Sequence, residues 1–199
     1  MNALIQRIRL EGTPLGHGNV GIVKLDSLIN HQLDPQLTLE MGQAFKARLE
    51  AAGVSGVTRV LTVEVSGIAA ALTTALAFGV PMVYARKTRP ITLSPDPYTA
   101  SAVSRTKGNE VTLSVSRDFL SSSDRVIIID DFLASGKTLM AMVDIVRQSG
   151  AVLLGLGGIV EKTYDGGRAL LEPLGIPIVS LACIESADET GIVVSSGRG

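Results

Sequence analysis

The sequence predicts an α/β protein with a central, mostly parallel sheet flanked by helices, and three observations predict it. Apolar β-branched runs alternate along the chain with segments of helical periodicity, the pattern of right-handed βαβ crossovers. The run Val126-Ile127-Ile128-Ile129 is apolar at every position, as a strand buried on both faces must be. Three polar clusters, Glu64 to Gly67, Asp130 to Thr138 and Glu161 to Lys162, each follow such a run, so that they converge on one edge of the sheet.

Composition bounds the function. A chain of 199 residues with 46% hydrophobic content fits one compact domain, 1–199, with a full central sheet. A net charge of -1 leaves no global basic footprint for nucleic acid. The single cysteine, Cys183, cannot form an internal disulfide, and no zinc-ligand spacing occurs; its place in Ile178 to Ile184 makes it a buried packing residue in a strand. No apolar run has the length of a signal peptide or a membrane span. A soluble cytoplasmic protein without membrane or nucleic-acid partners is expected.

The elements follow in order. Ala3 to Leu10 places Leu4, Ile5 and Ile8 on one side of a short helix that stops at Gly12. Thr13 to Asn19 reads as a loop and Gly21 to Leu25 as a short strand. Asp34 with Pro35 starts a helix whose buried stripe is Leu37, Met41, Phe45 and Leu49, closed at Gly53. Just before it, His31 reads as a structural or surface residue, whereas Asn30, whose amide is both donor and acceptor, is the better candidate for contacting a base. Val57 to Val63 is a second strand, and Glu64-Val65-Ser66-Gly67 turns it into a helix ending at Gly79-Val80-Pro81. Gly67 at that corner lets backbone N–H groups approach an anion, although such corners occur in many α/β proteins. Met82 to Ala85 is a third strand, with Arg86 and Lys87 at its end.

From Thr88 to Glu110 hydrophobic density falls, three prolines appear, and Arg89, Arg105 and Lys107 add charge; a loop of that length in a compact domain is functional or disordered. Val111 to Val115 alternates as a half-exposed strand. After the central run and its helix, Val152 to Val160 is another buried strand, and Lys162 at its end reads either as a snorkelling surface lysine or as a donor to a carbonyl such as O6 of an oxopurine. Gly166 to Leu174 is a short helix containing Arg168, Ile176 to Ile184 a last strand, and Glu185 to Gly199 a polar tail without assigned role.

The chemistry concentrates in Val126 to Thr138. The strand ends in Asp130 and Asp131, and Ala134 to Thr138 is a loop feeding a helix with Leu139, Met142, Val143 and Val146 at helical spacing. Free backbone N–H groups and the helix dipole there suit a phosphate, with Ser135, Lys137 and Thr138 as added donors. Ser135-Gly136-Lys137-Thr138 fails as a Walker A loop because position 131 is Asp, not Gly. Carboxylates against a triphosphate would repel it. Two carboxylates beside a monophosphate loop suit a ribose 5-phosphate: they accept from sugar hydroxyls, directly or through Mg²⁺, while the loop holds the phosphate.

A hydrophobic strand, two acidic residues and a small-residue loop ending in Gly136 to Thr138 resemble the PRPP-binding motif of type I phosphoribosyltransferases, where PRPP is 5-phosphoribosyl pyrophosphate. Lys24 to Pro35, Ala85-Arg86-Lys87, Ile129 to Ala134 and Ile159-Val160-Glu161-Lys162 extend the resemblance to the bacterial xanthine-using subfamily over nearly the whole length.

The resemblance implies transfer of the phosphoribosyl group from PRPP to xanthine, with Mg²⁺ carried by PRPP, and a homodimer. It places Asp130, Asp131, Lys87 and Lys107 in catalysis, and Val23, Asn30 and Lys162 around the base. Ala134, Ser135, Gly136, Lys137, Thr138, Glu64, Ser66 and Gly67 are placed on PRPP. A small hood (1–35) and a flexible loop (about 86–110) closing over the pyrophosphate, with Ser104 and Lys107 reaching it, are part of the same expectation. Ala134 stands where hypoxanthine-guanine enzymes carry an acidic residue. That removes a general base and fits a purine that is already acidic. Two rivals remain: a guanine or hypoxanthine enzyme, and a PRPP-sensing regulator without catalysis.

Overall fold

A computed structural model describes residues 1–15, 21–88, 95–103 and 110–199. Helix α1 (Asn2–Glu11) buries Leu4, Ile5 and Ile8 as their spacing predicts. Strands β1 (Thr13–Pro14) and β2 (Val23–Lys24) form a small antiparallel pair. One wide helical turn, Asp26–Asn30, then leads to α2 (Pro35–Ala51). Asp34 caps α2, its Oδ1 accepting from the Leu37 N–H at 3.1 Å with Pro35 in the first turn, and the stripe Leu37, Met41, Phe45, Leu49 is buried.

The main sheet is built from β3 (Arg59–Val63), β4 (Met82–Ala85), β7 (Arg125–Leu133), β8 (Val152–Lys162), β9 (Ile178–Asp188) and β10 (Gly191–Ser196), in the order β10-β9-β8-β7-β3-β4. All its neighbouring pairs are parallel except β9 with β10. Helix α3 (Gly67–Phe78) links β3 to β4, α4 (Lys137–Ser149) links β7 to β8, and α5 (Gly167–Leu171) lies between β8 and β9. The hairpin of β5 (Tyr98–Val103) and β6 (Glu110–Val115) stands beside the sheet, tied to it where Arg86 and Ser114 exchange backbone bonds at 2.9 Å.

Strand alternation divides the core in two. Ile127 and Ile129 of β7 face a cluster with α1, α2 and α3, while Val126 and Ile128 face one with α4 and the hairpin. The apolar run at 126–129 is thus a strand covered on both faces, as expected.

Three expectations need correction. Thr13, read as loop, begins a strand that pairs with Lys24. Tyr98–Val103, read as part of a long loop, is a strand: Tyr98 and Ala102 point into the core, and the Gln148 side chain bonds both the N–H and the C=O of Thr99. Its residues are mostly small or hydroxylated, so the period-2 signal carries little hydrophobic contrast. Glu185–Gly199, read as a tail, is the end of β9 and an antiparallel edge strand that returns through a turn at Asp188, whose Oδ1 accepts from the Thr190 N–H at 2.8 Å. Of the expected flexible loop, residues 89–94 and 104–109, with Ser104 and Lys107, lie outside the described residues.

Candidate active site

Strands β3, β4, β7 and β8 all deliver their C-terminal ends to one edge, and an open cleft lies there. It is lined by Glu64, Ser66 and Gly67 after β3, by Lys87 after β4, and by Asp130, Asp131 and Phe132 from β7. Ala134, Ser135, Gly136 and Thr138 of the following loop complete it. Two of the three polar clusters, more than sixty positions apart, therefore meet as their placement predicts, whereas the third, Glu161 and Lys162, does not line this cleft. Lys137 differs: it is exposed as the first residue of α4 and does not line the cleft.

Two helices begin in this cleft, and neither spends a side chain on its own cap. Ser66 precedes α3 and Gly136 precedes α4, both without a side-chain cap bond; at α3 the Ile68 N–H instead donates to the Val65 carbonyl at 3.1 Å, and helix starts of this kind suit an anion. Gly136 has φ +75°, a left-handed conformation that glycine adopts without Cβ strain and that turns the loop into the helix. Between the two helix starts lie the carboxylates. Asp130 Oδ1 accepts from the Asp131 N–H at 3.0 Å, and Asp131 Oδ1 from the Phe132 N–H at 2.9 Å. Burial pushes the pKa of the Asp130 carboxyl well above the usual range, with the adjacent Asp131 charge acting in the same sense and Lys87 opposing it.

Glu64, at the cleft, also contacts the residues that follow β4. Its Oε1 accepts from the Lys87 backbone N–H at 2.6 Å, and its Oε2 lies 2.9 Å from Arg86 Nε. It ties the start of α3 to the cations after β4 and offsets part of their charge. Gly67 packs where a side chain has no room: a Cβ there would lie 2.8 Å from Asp130 Oδ1.

Lys162 is no snorkelling surface residue. It is 8% exposed, its Nζ donates to the Gly21 carbonyl at 2.9 Å, and it sits 5.0 Å from the centre of the Phe132 ring. Tyr164 Oη donates to the same carbonyl at 2.9 Å. Lys162 is thereby brought to the segment that holds Val23, which is buried in β2. Asn30 is exposed at the end of the wide turn, and that turn packs through Leu28 and Ile29 against a small hollow reaching Ser66. Phe132 was not among the expected site residues, although an aromatic directly after two site carboxylates was a signal available in the sequence. Cys183 is fully buried in β9, as expected, and burial raises the pKa of its thiol.

Among the described residues no cluster of three or more His, Cys, Asp or Glu side chains could cage a metal. Asp130 and Asp131 offer carboxylate oxygens of the kind that Mg²⁺ takes when it is bound mainly through substrate phosphates and water. No helix among the described residues is long and apolar enough to cross a membrane.

Comparison with known proteins agrees with this geometry. Residues 39–192 match the family described as phosphoribosyl transferase domain. The xanthine phosphoribosyltransferase of Deinococcus deserti is 54% identical over 199 residues, covering 100% of both chains. That of Brevibacillus brevis is 44% identical over 192 residues, 96% of this chain and 95% of its own. Among solved structures, adenine phosphoribosyltransferase from Saccharomyces cerevisiae, complexed with an imino-altritol bisphosphate and adenine, superposes with a TM-score of 0.70 at 26% identity, covering 89% of this chain and 98% of that one.

Proposed function

The chain belongs to the phosphoribosyl transferase family, and from that premise we propose that it transfers the 5-phosphoribosyl group of PRPP to xanthine, giving xanthosine 5′-monophosphate and pyrophosphate. The observation that carries the proposal is the pairing of two uncapped helix starts in one cleft with two carboxylates between them. A sugar diol with a phosphate on each side has the matching chemistry.

The α4 start, from Ala134 to Thr138, takes the 5-phosphate. Asp130 and Asp131 accept from the ribose hydroxyls and orient the anomeric carbon. Ser66 and Gly67 at the α3 start, with Lys87, receive the pyrophosphate, and Lys107 is proposed as a further cation there. Mg²⁺ bound with PRPP suits the two-carboxylate donor set and supplies charge neutralisation for the pyrophosphate. A ring nitrogen of the base forms its bond to C1′ as the C1′–O bond breaks, and the electron pair leaves with pyrophosphate. Rate then comes from positioning and from fixed positive potential where negative charge develops. Ala134 provides no base, which suits a purine that arrives deprotonated.

At the other end Lys162, held by the Gly21 carbonyl beside Phe132, donates to O6 of an oxopurine, with Val23 and Asn30 framing the ring. The relatives named above as xanthine phosphoribosyltransferases support xanthine over guanine and hypoxanthine. A homodimer belongs to the same proposal. It is supported by α3, which is apolar on nearly every side yet leaves Leu72 56% and Leu76 69% exposed one turn apart. The cytoplasm, where these substrates are found, is the proposed location.

The test is PRPP-dependent nucleotide formation from xanthine, hypoxanthine, guanine and adenine in parallel. Xanthine is expected to give the highest kcat/KM. A preference for adenine overturns the base assignment, and no product from any purine overturns the enzyme.

A further inference from the structure

One pair of charged side chains outside the cleft has no part in the chemistry above. Glu161, 1% exposed near the end of β8, accepts from Arg168 Nε at 2.8 Å and Nη2 at 2.7 Å, and from Ser180 Oγ at 2.9 Å. Arg168 also donates to the Ile178 carbonyl at 3.0 Å. Neither residue lines the cleft. Burial alone would raise the Glu161 pKa, but the bonds from Arg168 and Ser180 outweigh it and hold the carboxyl below its ordinary value. The pair is therefore ionic and bidentate, an arrangement that fixes angle as well as distance. Such pairs add little net stability over apolar packing of the same volume. Their effect lies in the geometry they impose.

That geometry leads to the phosphate loop. Arg168 follows Gly167, whose N–H donates to the Ala134 carbonyl at 2.9 Å. Gly167 lies so close beneath the loop that a Cβ on it would stand 2.2 Å from Ala134 O and 2.7 Å from Gly136 N. The loop has no side-chain cap of its own, so this peptide is its support from below. The Gly166–Gly167 turn is in turn anchored to β8 through the guanidinium that follows it.

We propose that Arg168, clamped by Glu161, is a positioning residue for PRPP: it holds the Gly167 peptide against Ala134 and Gly136 so that the loop's N–H groups converge on the 5-phosphate. The proposal rests on the assignment of that loop to the 5-phosphate. Displacing the support by a fraction of an ångström weakens PRPP binding while leaving the carboxylates and Lys162 in place.

Three variants test it: Arg168→Gln, Arg168→Lys and Gly167→Ala, with PRPP affinity read by calorimetry beside kcat, both KM values and Tm. Arg168→Gln is expected to raise the PRPP Kd and KM by roughly tenfold to a hundredfold. The KM for xanthine should change by less than about threefold, within ordinary context scatter. Arg168→Lys, which keeps the charge but loses the fork, should fall between wild type and Arg168→Gln. Gly167→Ala should reproduce the PRPP effect with the ion pair intact, and it carries the test should Arg168→Gln fail to fold. Variants that lose Tm but keep the wild-type PRPP Kd overturn the positioning role. Wild-type protein that does not bind PRPP overturns the functional assignment instead.

Discussion

Gly67→Ala adds one methyl group at the floor of the cleft. The new carbon would sit 2.4 Å from Thr62 Oγ1 and 2.8 Å from Asp130 Oδ1, short of ordinary contact at 3.4 Å by 1.0 Å and 0.6 Å. Thr62 is fully buried in β3 and cannot swing away, so either the first turn of α3 rises or the Asp130 carboxylate is pushed aside. Overpacking of this kind costs about 1–3 kcal/mol of stability. For a chain of this size that lowers Tm by roughly 2–12 °C. A reacting group displaced by nearly an ångström loses about 10²-fold in rate, or ~2.7 kcal/mol on the barrier. Steady-state kcat/KM for PRPP at saturating xanthine, measured with a thermal melt of the same sample, separates the two effects. Gly79→Ala is the control: it lies at the other end of α3 in open space at φ +71°, so it loses stability through backbone strain alone and keeps wild-type kcat/KM. Gly67→Ala with kcat/KM within twofold of wild type would refute the placement of Asp130 at the reacting centre.

Two further outcomes follow from the same site. Asp130→Asn keeps the acceptor for the Asp131 N–H but removes a charge that burial and Asp131 disfavour, so turnover should be lost while the unliganded protein becomes more stable. A raised carboxyl pKa contributes stability below the unfolded value of about 4 and loses it as pH rises through the folded value. The gain in Tm over wild type should therefore grow across that rise and vanish at lower pH. Equal Tm values at pH 8 would contradict it. Lys162→Met removes the buried donor aimed at the base, and kcat/KM for xanthine should fall by roughly 10- to 150-fold, the ~1.5–3 kcal/mol of a charged hydrogen bond. Unchanged discrimination between xanthine and adenine would exclude Lys162 from base selection.

The stretch from Val126 to Thr138 was legible in sequence because several local signals coincide there. A β-branched run demands a buried strand, two carboxylates end it, and small residues feed a helix at an anion-binding position. The α2 start at Asp34 and Pro35 was legible for the same reason, since cap and proline act within one turn. What escaped depends on partners far along the chain. Glu161 reads as part of a site cluster at a strand end and Arg168 only as a member of a short helix, and only the fold closes them into a pair. The bond from the Lys87 N–H to Glu64 exists only because the fold sets β4 beside β3. Strand β5 escaped because Ala100, Ser101 and Ala102 give too little hydrophobic contrast, and its edge is satisfied by Gln148 from α4. Strand β10 escaped because its partner, the end of β9, is itself polar.

The division of the core by β7 has a consequence for how such a protein can change. The N-terminal parts, α1, β2 and α2, rest on Ile127 and Ile129, whereas the hairpin and α4 rest on Val126 and Ile128. Adjacent residues of one strand thus answer to different halves of the molecule. Substitutions on one face can reshape the segments proposed to frame the base without disturbing the packing behind the loop proposed for the 5-phosphate, and the reverse holds on the other face. Selectivity for the base and competence for ribosyl transfer can drift separately, with the two aspartates at the end of β7 as the fixed point between them.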